Sequence, residues 1–129
     1  MEVALKEQLL LLISFIFLMA GCNDHTITFS GESDNWEGEY SAILSDNESR
    51  EDGEYLFGYK NAKKDTAFKN LKIVINDGET ELNETDFKVA TVVINDSCSG
   101  CAFKSEDEPI NVTIKWDGKE ESFLLEPRS

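Results

Sequence analysis

The chain has 129 residues, 12 basic against 26 acidic side chains, and a formal charge of −14. Such a surface repels nucleic acid, whose binding rests on Lys and Arg neutralising phosphates. The length allows one domain around one core.

Leu9 to Gly21 is apolar except for Ser14. A bilayer-spanning helix needs about 20 apolar residues, so this stretch has the length of a signal-peptide core instead. It runs into Leu18-Met19-Ala20-Gly21-Cys22, small residues ahead of a cysteine, which resembles a bacterial lipobox. In the pathway that this box implies, Cys22 receives a diacylglyceryl group and becomes the first residue after cleavage. Two acyl chains hold a protein stably where one gives only reversible binding. The expected organisation is a lipoprotein signal peptide over 1–21, a lipidated N-terminus and short tether over 22–26, and one domain over 27–129. Loss of the leader removes Glu2, Lys6 and Glu7 and leaves a charge of −13. An anionic membrane repels that body, so attachment falls to the lipid. The expected location is the outer face of the cytoplasmic membrane.

Downstream of Cys22 the chain reads as short strands punctuated by turns. Apolar alternation opens at Ile27 and Phe29. Trp36, Gly38, Tyr40, Ala42 and Leu44 alternate with polar neighbours, the period of a half-buried strand. Ser45 to Gly53 reads as an acidic loop. Tyr55, Phe57 and Tyr59 alternate again, and Asn61 to Thr66 is a polar connection. Leu71, Ile73 and Ile75 share a face before the Asn76-Asp77-Gly78 turn, and a weak segment covers Thr80 to Leu82. Phe87 to Ile94 is the most apolar run, and Val92-Val93-Ile94 predicts a central strand buried on both faces. Ile110, Val112, Ile114 and Trp116 form the next strand. Asp117-Gly118 predicts a two-residue type I′ turn into a closing strand with Phe123 and Leu125. Seven to eight strands in about a hundred residues predict an all-β fold, an antiparallel immunoglobulin-like sandwich. A small β-barrel is the alternative.

Cys98-Ser99-Gly100-Cys101 is the sharpest local motif. With Cys22 lipidated, Cys98 and Cys101 are left as an even pair that should oxidise outside the cytoplasm. A structural disulfide is the expected reading. A redox pair needs a helix N-terminus to lower the thiol pKa, and no helical pattern lies there. A tetrahedral zinc site needs four ligands, and His25 is the sole histidine. Thiol-redox or metal handling by this pair is the second hypothesis.

The acidic run Asp46 to Glu54 is rich in oxygen donors, but Arg50 stands where a calcium loop requires an acid or amide, so a solvated loop is expected. Trp36, Tyr40, Tyr55, Phe57, Tyr59 and Trp116 lie on alternating strand faces and are expected in the core. The sequence carries no catalytic set: it has one histidine, no nucleophile elbow and no phosphate-cradling glycine loop. No enzyme, metal or cofactor is expected. The expected function is a lipid-anchored module that binds a protein or envelope component.

Three stretches, together with the lipobox, resemble a group of small predicted lipoproteins from Bacillus and related Gram-positive bacteria. They are Gly31 to Trp36, Cys98 to Cys101 and Ile110 to Lys119. The resemblance implies a location at the cell surface and brings no catalytic or binding residue with it.

Overall fold

A computed structural model describes residues 24–45, 50–99 and 107–128. Residues 1–23, with the expected leader and Cys22, and residues 46–49, 100–106 and 129 lie outside the described residues. Eight strands follow one another: β1 (Asp24–Glu32), β2 (Trp36–Ser45), β3 (Arg50–Tyr59), β4 (Phe68–Ile75), β5 (Thr80–Phe87), β6 (Thr91–Ser99), β7 (Ile110–Trp116) and β8 (Lys119–Pro127). A 3₁₀ turn at Asn76–Gly78 links β4 to β5.

All pairings are antiparallel, and the strands form one sheet in the order β5-β4-β7-β8-β1-β2-β3-β6. The sheet folds at its middle. There β1 and β8 share only Phe29↔Pro127 and Ser30↔Glu126, supported by the Arg128 N–H donating to the Thr28 carbonyl. On one side of this seam lies the layer β1-β2-β3-β6, on the other β8-β7-β4-β5. The all-β antiparallel expectation therefore holds, in a form between its two variants: a sandwich whose layers are one sheet bent into a nearly closed barrel. The connectivity is its own. β1, β2 and β3 run as a meander within one layer, where immunoglobulin order sends the third strand to the opposite sheet.

The period-two pattern explains the core. Ile27, Phe29, Trp36, Tyr40, Tyr55, Phe57 and Val92 project inward from the first layer, and Leu71, Ile73, Val112, Ile114, Trp116 and Leu125 from the second; all are buried. Burying each such side chain contributes about 1.5–3 kcal/mol. Trp36 lies at the centre of an aromatic group, with ring centroids 5.2 Å from Tyr59, 5.5 Å from Phe68 and 5.7 Å from Trp116. The six aromatic residues singled out by alternation thus serve packing, with Tyr59 only partly buried.

Two expectations are corrected. The run Phe87 to Ile94 is not one central strand. Phe87 ends β5, Lys88 to Ala90 leave the sheet, and β6 is an edge strand with Val93 52% exposed. Three consecutive apolar residues imitate two-sided burial, yet only Val92 faces the core fully. The acidic loop also ends sooner than expected. β3 begins at Arg50, so residues 50–53 belong to the ladder opposite Ser45, Leu44, Ile43 and Ala42. At the N-terminus β1 reaches back past Ile27 through His25 to Asp24.

Candidate functional site

Antiparallel neighbours joined by short connections sort the molecule into two ends. The near end holds the start of β1, the end of β2, the start of β3, the Asn76–Gly78 turn, the end of β6 and the start of β7. The far end holds Ser33–Asn35, the connections over 60–67 and 88–90, and Asp117-Gly118. Lys60, Lys63, Lys64, Lys69, Lys88 and Lys119 all lie in or beside far-end connections. Arg50 stands at the near end, ion-paired with Asp52 at 2.9 Å.

Of the cysteines and the histidine flagged by sequence, His25 and Cys98 are described, and both stand toward the near end. Cys22 and Cys101 lie outside the described residues, as do Asp46 to Ser49. Cys98 is exposed, in β6, and pairs in register with Glu51. It stands in extended chain rather than at a helix N-terminus, and its cross-strand neighbour is a carboxylate. His25 is exposed one residue into β1. Among the described residues no three His, Cys, Asp or Glu side chains gather closely enough to hold a metal ion.

Glu51 departs from the solvated-loop reading. Its alternation with Asp52 turns it inward, where it is 4% exposed and accepts a 2.6 Å hydrogen bond from the Tyr40 hydroxyl. Gly53 makes this possible: a Cβ there would lie 2.5 Å from Tyr40 Oη and 2.7 Å from the Asp96 carbonyl oxygen. Burial, then the Glu51 hydrogen bond and charge, keep the Tyr40 phenol protonated far above the usual tyrosine range.

The far end is fastened by a cluster that the sequence does not announce. Glu121 accepts from Ser33 Oγ at 2.6 Å, from the Asn35 amide N–H at 2.9 Å and from Asn35 Nδ2 at 2.5 Å. Lys60 Nζ donates to the Ser33 carbonyl at 2.7 Å and pairs with Glu32 at 3.0 Å. Burial alone would raise the Glu121 pKa. The hydrogen bonds from Ser33 and Asn35 and the Lys60 charge outweigh it, and they hold the carboxyl below its usual range. The carboxylate lies 86 residues from Asn35 in the chain, so no local pattern marks the contact.

The outer face of the first layer carries an open depression of about 430 Å³, lined by Glu32, Glu37, Glu39, Leu56, Gly58 and Arg128 among others. The missing side chain at Gly58 opens its floor. Leu56 stands opposite both Glu39 of β2 and Val93 of β6, so an apolar pair is bordered by carboxylates. Leu56 is 41% exposed. This surface offers negative charge and apolar area side by side. No protein-family model matches the chain, and neither a curated protein nor a solved structure matches it.

Proposed function

We propose that this protein is a lipid-anchored, non-enzymatic binding module at the outer face of the cytoplasmic membrane, holding a protein or envelope component close to the bilayer. It is a member, on this reading, of the small Gram-positive lipoproteins that its motifs resemble. The observation that carries the proposal is the start of β1 at Asp24, two residues beyond Cys22. Acyl chains on that sulfur would leave almost no tether. The acidic near end would face the bilayer and the lysine-bearing far end would face outward. The outer face of β1-β2-β3-β6 would stand beside the membrane, open to a partner. Cys98 and Cys101 form, on this reading, a disulfide that shapes the end of β6. So small a ring removes little chain entropy and contributes modestly to stability.

The test is mass spectrometry of the processed N-terminus and fractionation of cells that express wild type or Cys22→Ser. The expected results are a diacylated Cys22 at the N-terminus and loss of membrane attachment in the variant. A full-length chain in the cytosol with its leader intact overturns the proposal, as does turnover of a substrate by the purified protein. A reduction potential of the cysteine pair in the stable structural range, below about −300 mV, supports the disulfide; an oxidising potential supports redox chemistry instead.

A further inference from the structure

The sheet has two ends, β5 and β6, and they differ in kind. The β5 edge is guarded. Glu81, Glu84 and Asp86 are exposed along it, and Glu84 stands opposite the buried Leu71 on the core-side row. Asp86 takes a positive φ of 52°, which breaks the flat ladder. Charges, inward-pointing acids and irregular backbone are the devices that stop an edge from pairing. The β6 edge has an inward-facing acid only toward its near end, at Asp96. Its other half, Thr91-Val92-Val93-Ile94-Asn95, has no charge, no proline and no positive φ. Among the described residues no strand pairs with its second side.

The orientation of its backbone follows from one bond. The Tyr59 N–H donates to the Ala90 carbonyl at 3.0 Å, in the same register that pairs Gly58 with Thr91. Antiparallel ladders alternate hydrogen-bonded and non-hydrogen-bonded pairs. Phe57↔Val92 and Tyr55↔Ile94 are therefore hydrogen-bonded pairs. The N–H and C=O groups of Thr91, Val93 and Asn95 point away from β3, toward open space. The side chains of these residues lie on the outer face, with Val93 beside Leu56. On the core side Ile94 and, across the opening, Phe87 are only partly buried.

We propose that the Thr91–Asn95 half of β6 is a strand-addition site for an extended, basic segment of another protein. This rests on the binding-module reading and specifies its partner. Main-chain bonds to Thr91, Val93 and Asn95 would supply affinity, and alternate side chains would supply selectivity. An apolar residue of the incoming strand meets Val93 and Leu56. Lys or Arg on the same face meets Glu37 and Glu54, which have no ion-pair partner among the described residues. The charge of −14 disfavours a second copy of this chain as the occupant.

The test uses the full chain in detergent with a ten-residue synthetic peptide that alternates Lys with Val and Thr. Its controls are the same peptide with Glu for Lys and the same peptide N-methylated at alternate amides. Saturating Lys peptide should slow amide exchange at Val93 and Asn95 at least tenfold, and added salt should weaken binding. The Val93→Pro variant removes an outward N–H while leaving the β3 ladder intact, and should lower affinity at least tenfold with unchanged thermal stability. Val93→Lys, which keeps the fold by adding only surface charge, should do the same. Unchanged exchange in β6, equal binding of the N-methylated or Glu peptide, or a dimer of this chain lost on Val93→Pro overturns the inference. If membrane partners are still captured by Val93→Pro, the strand-addition site fails while the binding module stands. If neither wild type nor variant is found on the membrane, the wider reading fails first.

Discussion

Tyr40 and Glu51 meet inside the first layer, where the phenol donates to Glu51 Oε1 at 2.6 Å and Glu51 is nearly sealed from water. Removing one partner leaves the other buried without its bond, which costs about 1–3 kcal/mol. Tyr40→Phe should therefore destabilise by about 2 kcal/mol in urea denaturation, the usual penalty for one orphaned buried group. Adding Glu51→Leu to that variant should recover part of the loss, since an apolar pair leaves nothing unsatisfied. A single variant as stable as wild type contradicts this account.

Glu121 links the Ser33–Asn35 turn to β8, and its carboxyl is held below the usual range. A depressed carboxyl pKa contributes stability that is present above the unfolded value, about 4.3, and is lost as pH falls through the folded value. The stability gap between wild type and Glu121→Gln should thus be largest near neutral pH and close in acid. Denaturation midpoints at pH 7 and pH 3 measure it; a gap independent of pH contradicts the assignment.

Gly31 faces Gly38 across β1 and β2, just where β8 crosses over the fold in the sheet. A Cβ on Gly31 would land on the Leu124 carbonyl oxygen, a backbone atom that cannot rotate aside. Gly31→Ala should cost about 3 kcal/mol, at the upper end of the usual overpacking range, and should loosen the β1–β8 seam first. Hydrogen exchange at Arg128, whose amide bonds to Thr28, reports that seam.

Asp117 serves its hairpin and the neighbouring strand together. It takes φ 46° ahead of Gly118 at 82°, the type I′ pattern, and its Oδ1 accepts from the amides of Lys69 and Asn70 at 2.9 and 3.1 Å. Asp117→Asn keeps the turn and an acceptor, so its thermal midpoint should match wild type closely. Asp117→Ala loses both and should cost about 1–2 kcal/mol.

Alternation was enough to find most strands, because a strand covered on one side writes its burial into every second residue. Trp36 to Leu44 and Ile110 to Trp116 are clear cases. The Asp117-Gly118 turn was legible for a related reason: its backbone demands residues that tolerate positive φ. Order within the sheet was not legible. Val92-Val93-Ile94 looks central because apolar side chains outnumber polar ones there, and nothing local reveals that β6 is the last strand of the sheet among the described residues. Glu51 hid in the same way. Its neighbours are acidic, and only the space above Gly53 and the hydroxyl of Tyr40 make an inward carboxylate affordable. The Glu121 cluster joins residues from opposite ends of the chain and leaves no local trace at all.

If Cys22 carries the proposed lipid, mechanical load enters the fold through β1. That strand is nine residues long, runs along the axis of pull and is held along its whole length by β2, which is held in turn by β3 and then β6. A tug between bilayer and a ligand seated on β6 would strain these ladders lengthwise. Every rung would share the force, and none would be peeled open in sequence.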